Sequence, residues 1–433
     1  METRLNKFLR KTNECLIYLF VFILPWQIKL IIQPAETNYS EISLYFSHAL
    51  LLVILIIFLW LRLKASDHED DSKLIIYSLA ALEVFVFISI FFAPDKLLAF
   101  YRYFIFLVAL SLFFIVRIGS EQKSYQETLF DKINLVYCLL ASVFLHASLG
   151  IYQFLTQSTF AFKYLGLADH NPETLGTAVV ETLNGRWLRA YGGLDHPNIL
   201  GGVLAISLIL AAYLLAKKKM LNTSKEIWSS IFLFIFYFIS LYALFFTFSR
   251  SAWLAFAVGL VILLIIFIIN KDKWIVGRFI ALLFFSAILM IIAIAPFQEL
   301  LMVRVEAETR LEQKSIKERN SYFVQSRDLL QNNFLSGVGI GNYSSAVALS
   351  DNNKKPAWEY QPVHNTFLLL WVEGGFFSFI SFLIFLFFLI KNGRREMFAF
   401  AILVPLIVLM FLDHWLISLP FGLLFLFLIL GLI

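Results

Sequence analysis

The sequence predicts an all-α integral membrane protein. About twelve transmembrane helices are expected, with one large, partly helical external loop at 297–364. Three observations predict this. The 433 residues are 60% hydrophobic and only 15% charged, with a mean hydropathy of +0.80, which is more apolar surface than a soluble chain of this length can hide. Apolar runs of about 18 or more residues recur along the whole chain, each long enough for a ~30 Å hydrocarbon core. The short alternating segments of a membrane β-barrel are not found.

Taken in order, the expected spans are 15–33, 44–61, 74–93, 97–116, 133–155, 198–216, 227–248, 251–270, 278–296, 365–390, 397–412 and 416–433. The first follows a basic head, METRLNKFLRK, and lacks a small-residue cleavage site, so it reads as an uncleaved span. Cys15 and Cys138 both fall in apolar runs and read as small core residues. The segments on one side of this arrangement hold twenty Lys and Arg, while the loop at 34–43 on the other side has none. The positive-inside rule therefore puts both termini in the cytoplasm.

Two long loops, 156–197 and 297–364, fall on the external side. Long loops are exempt from the charge rule, so the eight Lys and Arg of the second do not contradict it. Cytoplasmic connections of about 16 residues or fewer leave no room for a nucleotide-binding domain. The expected organisation is thus 1–296 with nine spans and the first long loop, 297–364 as the loop with the catalytic residues, and 365–433 with the last three spans. Within the large loop, QELLMVRVEAETRLEQKS and ERNSYFVQSRDLLQNNF have helical apolar spacing. SGVGIGNY then breaks the pattern. Its glycines imitate a nucleotide loop but follow a helix, so a tight turn back to the membrane is the expected role.

The candidate residues cluster at external span ends. His364, in PVHNTFLLLWVEGG, closes the large loop. Asn365 is a good N-cap for the next span, and Glu373 lies two and a half turns further down that helix. An interfacial His can simply hydrogen-bond at a helix start. A neutral imidazole at such a place also suits a general base, and an intramembrane carboxylate is a functional candidate by default. Arg250, in TFSRSAWLAF, marks the joint of two spans. It is either a snorkelling helix end or, with Thr247, Ser249 and Ser251 around it, a phosphate clamp.

In GRWLRAYGGLDHPNILGG, Arg186 and Arg189 are surface charges or anion ligands. Asp195 and His196 cap the sixth span or bind substrate, and Pro197 suits its first turn. Arg319 lies in an amphipathic loop segment, where charges usually form a solvated face. Asp413 and His414, in LDHWL, anchor the last external turn or add polar contacts to the same vestibule. The acidic run DHEDD at 67–71 reads as a solvated charge run on the opposite side, and Glu83 as a buried polar contact or part of a route for substrate. No acid and histidine set has convincing metal spacing, so no metal is expected. No other cofactor and no nucleic-acid partner are expected either.

Several arginines and histidines at the rim of a lipid-embedded body suit a lipid-linked diphosphate. A transporter for such a lipid would show paired halves and central polar residues. Here the polar residues crowd the rim and no repeat between halves is seen.

Five motifs, GGLDHPNILGG, TFSRSAWLAF, Arg319 to Tyr343 with GVGIGNY, HNTFLLLWVEGG and the DH pair, occur in this order over about 90–430. In this set the chain resembles the O-antigen ligase and O-antigen polymerase superfamily of bacterial membrane glycosyltransferases. The resemblance implies a metal-independent, inverting transfer of a glycan from an undecaprenyl-diphosphate donor on the external side of the inner membrane. It implies that His364 acts on the acceptor hydroxyl and that Arg250 and Arg319 bind the donor diphosphate. Arg189, nearer the HPN, is favoured over Arg186 for a further arginine role. Glu373, Asn365, His196, Asp413 and His414 are supporting candidates. Among the branches, a ligase with lipid A-core as acceptor is favoured by the single dominant loop before the HN span. A repeat-unit polymerase and a protein O-oligosaccharyltransferase share the motifs.

Overall fold

The computed structural model describes residues 4–35, 37, 39–62, 73–120, 128–218, 223–306, 309–351, 355–393 and 398–433. The acidic run at 67–71 lies outside them. The chain begins with helix α1 (Arg4–Ile23), a hairpin of β1 (Lys29–Gln33) and β2 (Ile42–Tyr45), and α2 (Phe46–Arg62). Then come α3 (Lys73–Ser89), α4 (Lys96–Gly119) and α5 (Lys132–Thr156). A second hairpin, β3 (Val179–Thr182) and β4 (Gly185–Leu188), leads into α6 (Pro197–Lys217), α7 (Ser224–Phe246), α8 (Arg250–Ile269) and α9 (Lys273–Ile294). The segment after α9 forms α10 (Gln298–Glu306), α11 (Arg310–Asn333) and α12 (Tyr343–Ser350). The chain closes with α13 (Thr366–Gly393), α14 (Phe398–Leu412), the single turn α15 (Trp415–Ser418) and α16 (Pro420–Leu432).

Eight helices among the described residues, α3 to α9 and α13, are long and apolar enough to cross a membrane; α2, α14 and α16 are apolar but shorter. The expected first span, 15–33, is corrected. The helix stops at Ile23, just before Pro25, which cannot continue it. Residues 29–33 instead pair with 42–45, Lys29 opposite Tyr45 and Leu30 opposite Leu44. The mostly helical class stands, with two short hairpins added to the helices. In the second, Val179 pairs with Leu188 and Thr182 with Gly185. The alternation in VVETLNGRWL is its sequence signal. Cys138 is half-buried and Cys15 is exposed, so Cys15 is not a core residue. Glu83 accepts from Tyr103 Oη at 3.3 Å, a polar contact between α3 and α4.

Helix α6 forms the middle of the bundle, packed against α5, α7, α8, α9 and α14, and nearly all of it is buried. Small residues make this approach possible. A Cβ on Gly201 would lie 2.8 Å from Ala252 Cβ and 3.0 Å from Ser249 Cβ, and one on Gly202 would lie 2.7 Å from the Trp415 ring. The GG after HPN thus draws the start of α6 between the start of α8 and the turn at α15.

Helix α13 is broken rather than continuous. Gly375 has φ 81° and ψ 172°, and the loop after α11 fills the break. Val338 N donates to Val372 O at 2.8 Å, Gly339 N to Glu373 O at 2.9 Å, and Phe376 N to Phe334 O at 3.2 Å. Backbone groups freed by the break are thereby satisfied within the protein. The turn expected at SGVGIGNY is this docking segment. Gly337, Gly339 and Gly341 all have positive φ, and a side chain on each would strike Glu373 O, Ala93 or Arg102 respectively.

Candidate active site

Helix ends converge at the end of the bundle that carries α10 to α12. His364 is set there by the cap of α13. Asn365 Oδ1 accepts from Leu368 N at 2.9 Å and its Nδ2 donates to Phe411 O at 3.2 Å. With Asn365 occupied by the cap, the imidazole is left to face the neighbouring turn. Its Nδ1 lies 3.5 Å from Asp413 Oδ1. Nδ1 is buried and makes no formed hydrogen bond, a slack contact of the kind that tightens when substrate binds. The His364 ring is 19% exposed, with Tyr322 at 5.9 Å and His414 at 4.8 Å between ring centroids.

Asp413 sits in the tight turn between α14 and α15 and is buried. Its Oδ1 accepts from His414 N at 2.8 Å, and its Oδ2 from Asn198 Nδ2 at 3.3 Å. Thr366 Oγ1 donates to Asp413 O at 2.8 Å, tying this turn to the start of α13. Asn198 Oδ1 in turn accepts from Arg189 Nη2 at 2.7 Å. A chain of polar contacts therefore runs His364, Asp413, Asn198, Arg189 across α13, the α14–α15 turn, α6 and the end of β4. Arg189 is buried, and its Nε is fixed on Thr247 O at 2.7 Å. Burial works against the charge of Asp413, but its contacts with His364 and His414 outweigh this and hold it below the ordinary carboxylate range. Burial pushes His414 down to about 3, which keeps that ring neutral at pH 7. His414 Nδ1 lies 2.7 Å from Ser418 Oγ.

A second polar group adjoins this chain at the α7–α8 joint. Phe248 takes a positive φ of 45° there, and buried Arg304 of α10 holds its carbonyl through Nη2 at 2.7 Å and Nε at 3.1 Å. Arg250 Nη2 lies 3.0 Å from Glu312 Oε2 of α11, and its Nη1 donates to Arg304 O at 3.2 Å. Arg304 also pairs with Glu312. The charge of Arg304 acts on Arg189, and that of Arg319 acts on both Arg304 and His414. Arg319 is thus coupled by its charge to both groups. It is half-buried, with its Nε enclosed and without a hydrogen-bond partner.

The remaining candidates lie differently. His196 is the N-cap of α6, its Nδ1 accepting from Asn198 N at 3.1 Å with Pro197 in the first turn. Arg186 stands on β4 opposite Glu181, and no described polar contact ties it to the cluster. Glu373 holds the glycine loop, its carboxylate accepting from Gly341 N at 2.9 Å and Tyr343 N at 3.2 Å. No polar contact joins it to His364 among the described residues. Thr247 Oγ1 donates to Leu244 O at 2.6 Å, and Ser249 and Ser251 contact each other at 3.2 Å.

Sequence reasoning missed Arg304, Glu312 and the role of the Asn198 side chain. The loop charges read as a solvated face, although Arg304 and Glu312 are both buried. Asn198 showed as part of a helix start, with no signal of its side-chain partners.

His364, Asp413 and His414 offer donor atoms within 4.8 Å of one another, the group among the described residues that could hold a metal ion. Two imidazoles and a carboxylate are donors a divalent cation accepts. Both Asp413 oxygens and His414 Nδ1 already have protein partners at hydrogen-bond range.

Many apolar helices with a polar cluster at one end point to a multi-pass membrane protein. Residues 234–383 match the family model described as O-antigen ligase, a stretch from within α7 into α13 that includes Arg250, Arg304, Glu312, Arg319, His364 and Glu373. This match supports the resemblance to the O-antigen ligase and O-antigen polymerase superfamily. No curated protein and no solved structure matches it.

Proposed function

We propose that this protein is the ligase form of that enzyme kind. It transfers a glycan from an undecaprenyl-diphosphate donor to a hydroxyl of lipid A-core, at the external face of the bacterial inner membrane, without a metal and with inversion. The observation that carries the reading is the His364–Asp413 contact backed by Asn198 and Arg189, with the charge of Arg319 acting on the adjoining His414. Asp413 faces His364 Nδ1 and favours the tautomer with its proton there. This leaves Nε2 to take the proton of the acceptor hydroxyl. The hydroxyl oxygen attacks the anomeric carbon, the bond from that carbon to the diphosphate oxygen breaks, and undecaprenyl diphosphate leaves with the electron pair. Arg250 and Arg319 stabilise the charge it gains. Arg189, with its fork already engaged, serves by aligning Asn198. Protein partners on the Asp413 and His414 donors support a role without metal. The folded segment α10 to α12 just before the His364 span supports the ligase branch.

The test is a glycan profile of a deletion strain complemented with wild type or His364→Ala, with lipid-carrier and lipopolysaccharide fractions separated. Long polymer on the carrier and bare core in the mutant are expected. Single repeat units alone would assign the polymerase branch. A wild-type profile in both fractions would remove His364 from catalysis. Activity that survives exhaustive chelation is expected, and its loss and recovery with a divalent cation would assign the three-residue cluster to a metal.

A further inference from the structure

Glu312 is an acid in a place built for an anion. Its side chain is only 6% exposed and is held by Arg250 and Arg304. A buried carboxylate needs such partners. The converse does not hold, because the arginines outnumber it. The charges of Arg304 and Arg250 act on Arg189, and those of Arg250 and Arg319 act on Arg304, with Glu312 acting on both Arg189 and Arg304. Two guanidinium groups thus face one carboxylate in direct contact, which leaves an excess of positive charge with Glu312 in place.

The two partners of Glu312 differ in freedom. Arg304 spends Nε and Nη2 on Phe248 O and is buried. Arg250 has a side chain 37% exposed and a longer hold, at 3.0 Å to Glu312 and 3.2 Å to Arg304 O. Arg250 can turn away while Arg304 and Glu312 stay paired.

We propose that Glu312 is an internal competitor of the donor diphosphate. Resting on the donor-site reading above, it occupies Arg250 when the site is empty, yields that guanidinium to the incoming diphosphate, and retakes it when the product diphosphate leaves. No bond is made or broken; one ion pair replaces another. The carboxylate keeps Arg250 paired between turnovers and speeds release of a product that arginines alone would hold.

The test uses the full-length chain in detergent and a short isoprenyl diphosphate as probe, with the matching isoprenyl alcohol as control. Glu312→Gln keeps the shape and removes the charge, and is expected to bind the probe about fivefold tighter or more. Glu312→Asp keeps the charge but shortens the reach to Arg250. It is expected to tighten binding by a smaller factor, and it reads the effect should the glutamine variant fail to fold. Arg250→Gln is expected to bind at least about tenfold more weakly. If Arg250→Gln weakens binding while both Glu312 variants bind as wild type or worse, Glu312 is a brace for the arginines and the competition is overturned. If Arg250→Gln binds as wild type, the donor site itself is misplaced, and this inference falls with it.

Discussion

Two helices of this protein begin with a histidine followed closely by an asparagine, and the two residues exchange roles between them. At α6 the histidine is the cap: His196 Nδ1 takes Asn198 N, and the Asn198 side chain reaches out to Arg189 and Asp413. At α13 the asparagine is the cap: Asn365 takes Leu368 N, and His364 is left facing Asp413. Both starts lead to the same carboxylate. The proline at 197 separates the cases. It fixes the first turn of α6 behind His196 and leaves Asn198 inside the helix. Without it, Asn365 takes the outer place. Which residue satisfies the orphan backbone N–H decides which is left to reach Asp413.

The comparison breaks most sharply at the histidines. His364→Ala is expected to lower the transfer rate in membranes by about 10²- to 10⁴-fold at unchanged protein level, whereas His196→Asn, which retains a capping side chain, should cost less than about threefold. Equal losses would mean that both histidines serve only the fold. A smaller effect is expected at the shared carboxylate's second partner. Asn198→Ala should lower kcat about tenfold and alter the pH profile of kcat, with KM for the donor nearly unchanged. A drop in KM-linked binding alone would assign Asn198 to the donor instead.

Glu373, on the helix that begins just after His364, sharpens the contrast by a different readout. Its carboxylate accepts two loop N–H groups. Glu373→Ala should therefore destabilise the protein by about 2 to 4 kcal/mol, seen as a lower thermal midpoint in detergent. A catalytic loss without any loss of stability would place Glu373 in the reaction instead. The last effect is read as a pH slope and concerns His414. Its folded value of about 3 lies below the ordinary 6.5. Below about pH 6.5 the unfolded chain takes a proton that the folded one refuses, so stability should fall as pH drops from there toward 3. His414→Asn should flatten part of that slope between about pH 7 and 4.5. An unchanged slope would show that His414 is not the group responsible.

Much of this arrangement was legible in the linear chain. Apolar run length marks a membrane helix whatever it packs against, so α3 to α9 and α13 stand close to where they are expected. Local chemistry also shows. Asn365 as a cap, Pro197 in a first turn and the turn at Gly337 to Gly341 each depend on a few adjacent residues. The stretch after Pro25 was misread because length of apolar sequence does not distinguish a span from a hairpin beside it.

What the tertiary structure alone decided is partnership over long separations. Asp413 meets Asn198 from 215 positions away, and Arg304 holds Phe248 from 56. Glu312 is buried between two arginines although its own neighbourhood reads as a solvated helix face. Glu373 lies two and a half turns down the helix that follows His364, yet the break at Gly375 and the docked glycine loop give it to Gly341 and Tyr343. The sequence determined which polar groups sit at the helix ends, because the cost of an unsatisfied backbone group is local. It did not determine which side chains pair there, because that depends on how close packing of α6 against α8 and Trp415 brings distant ends together.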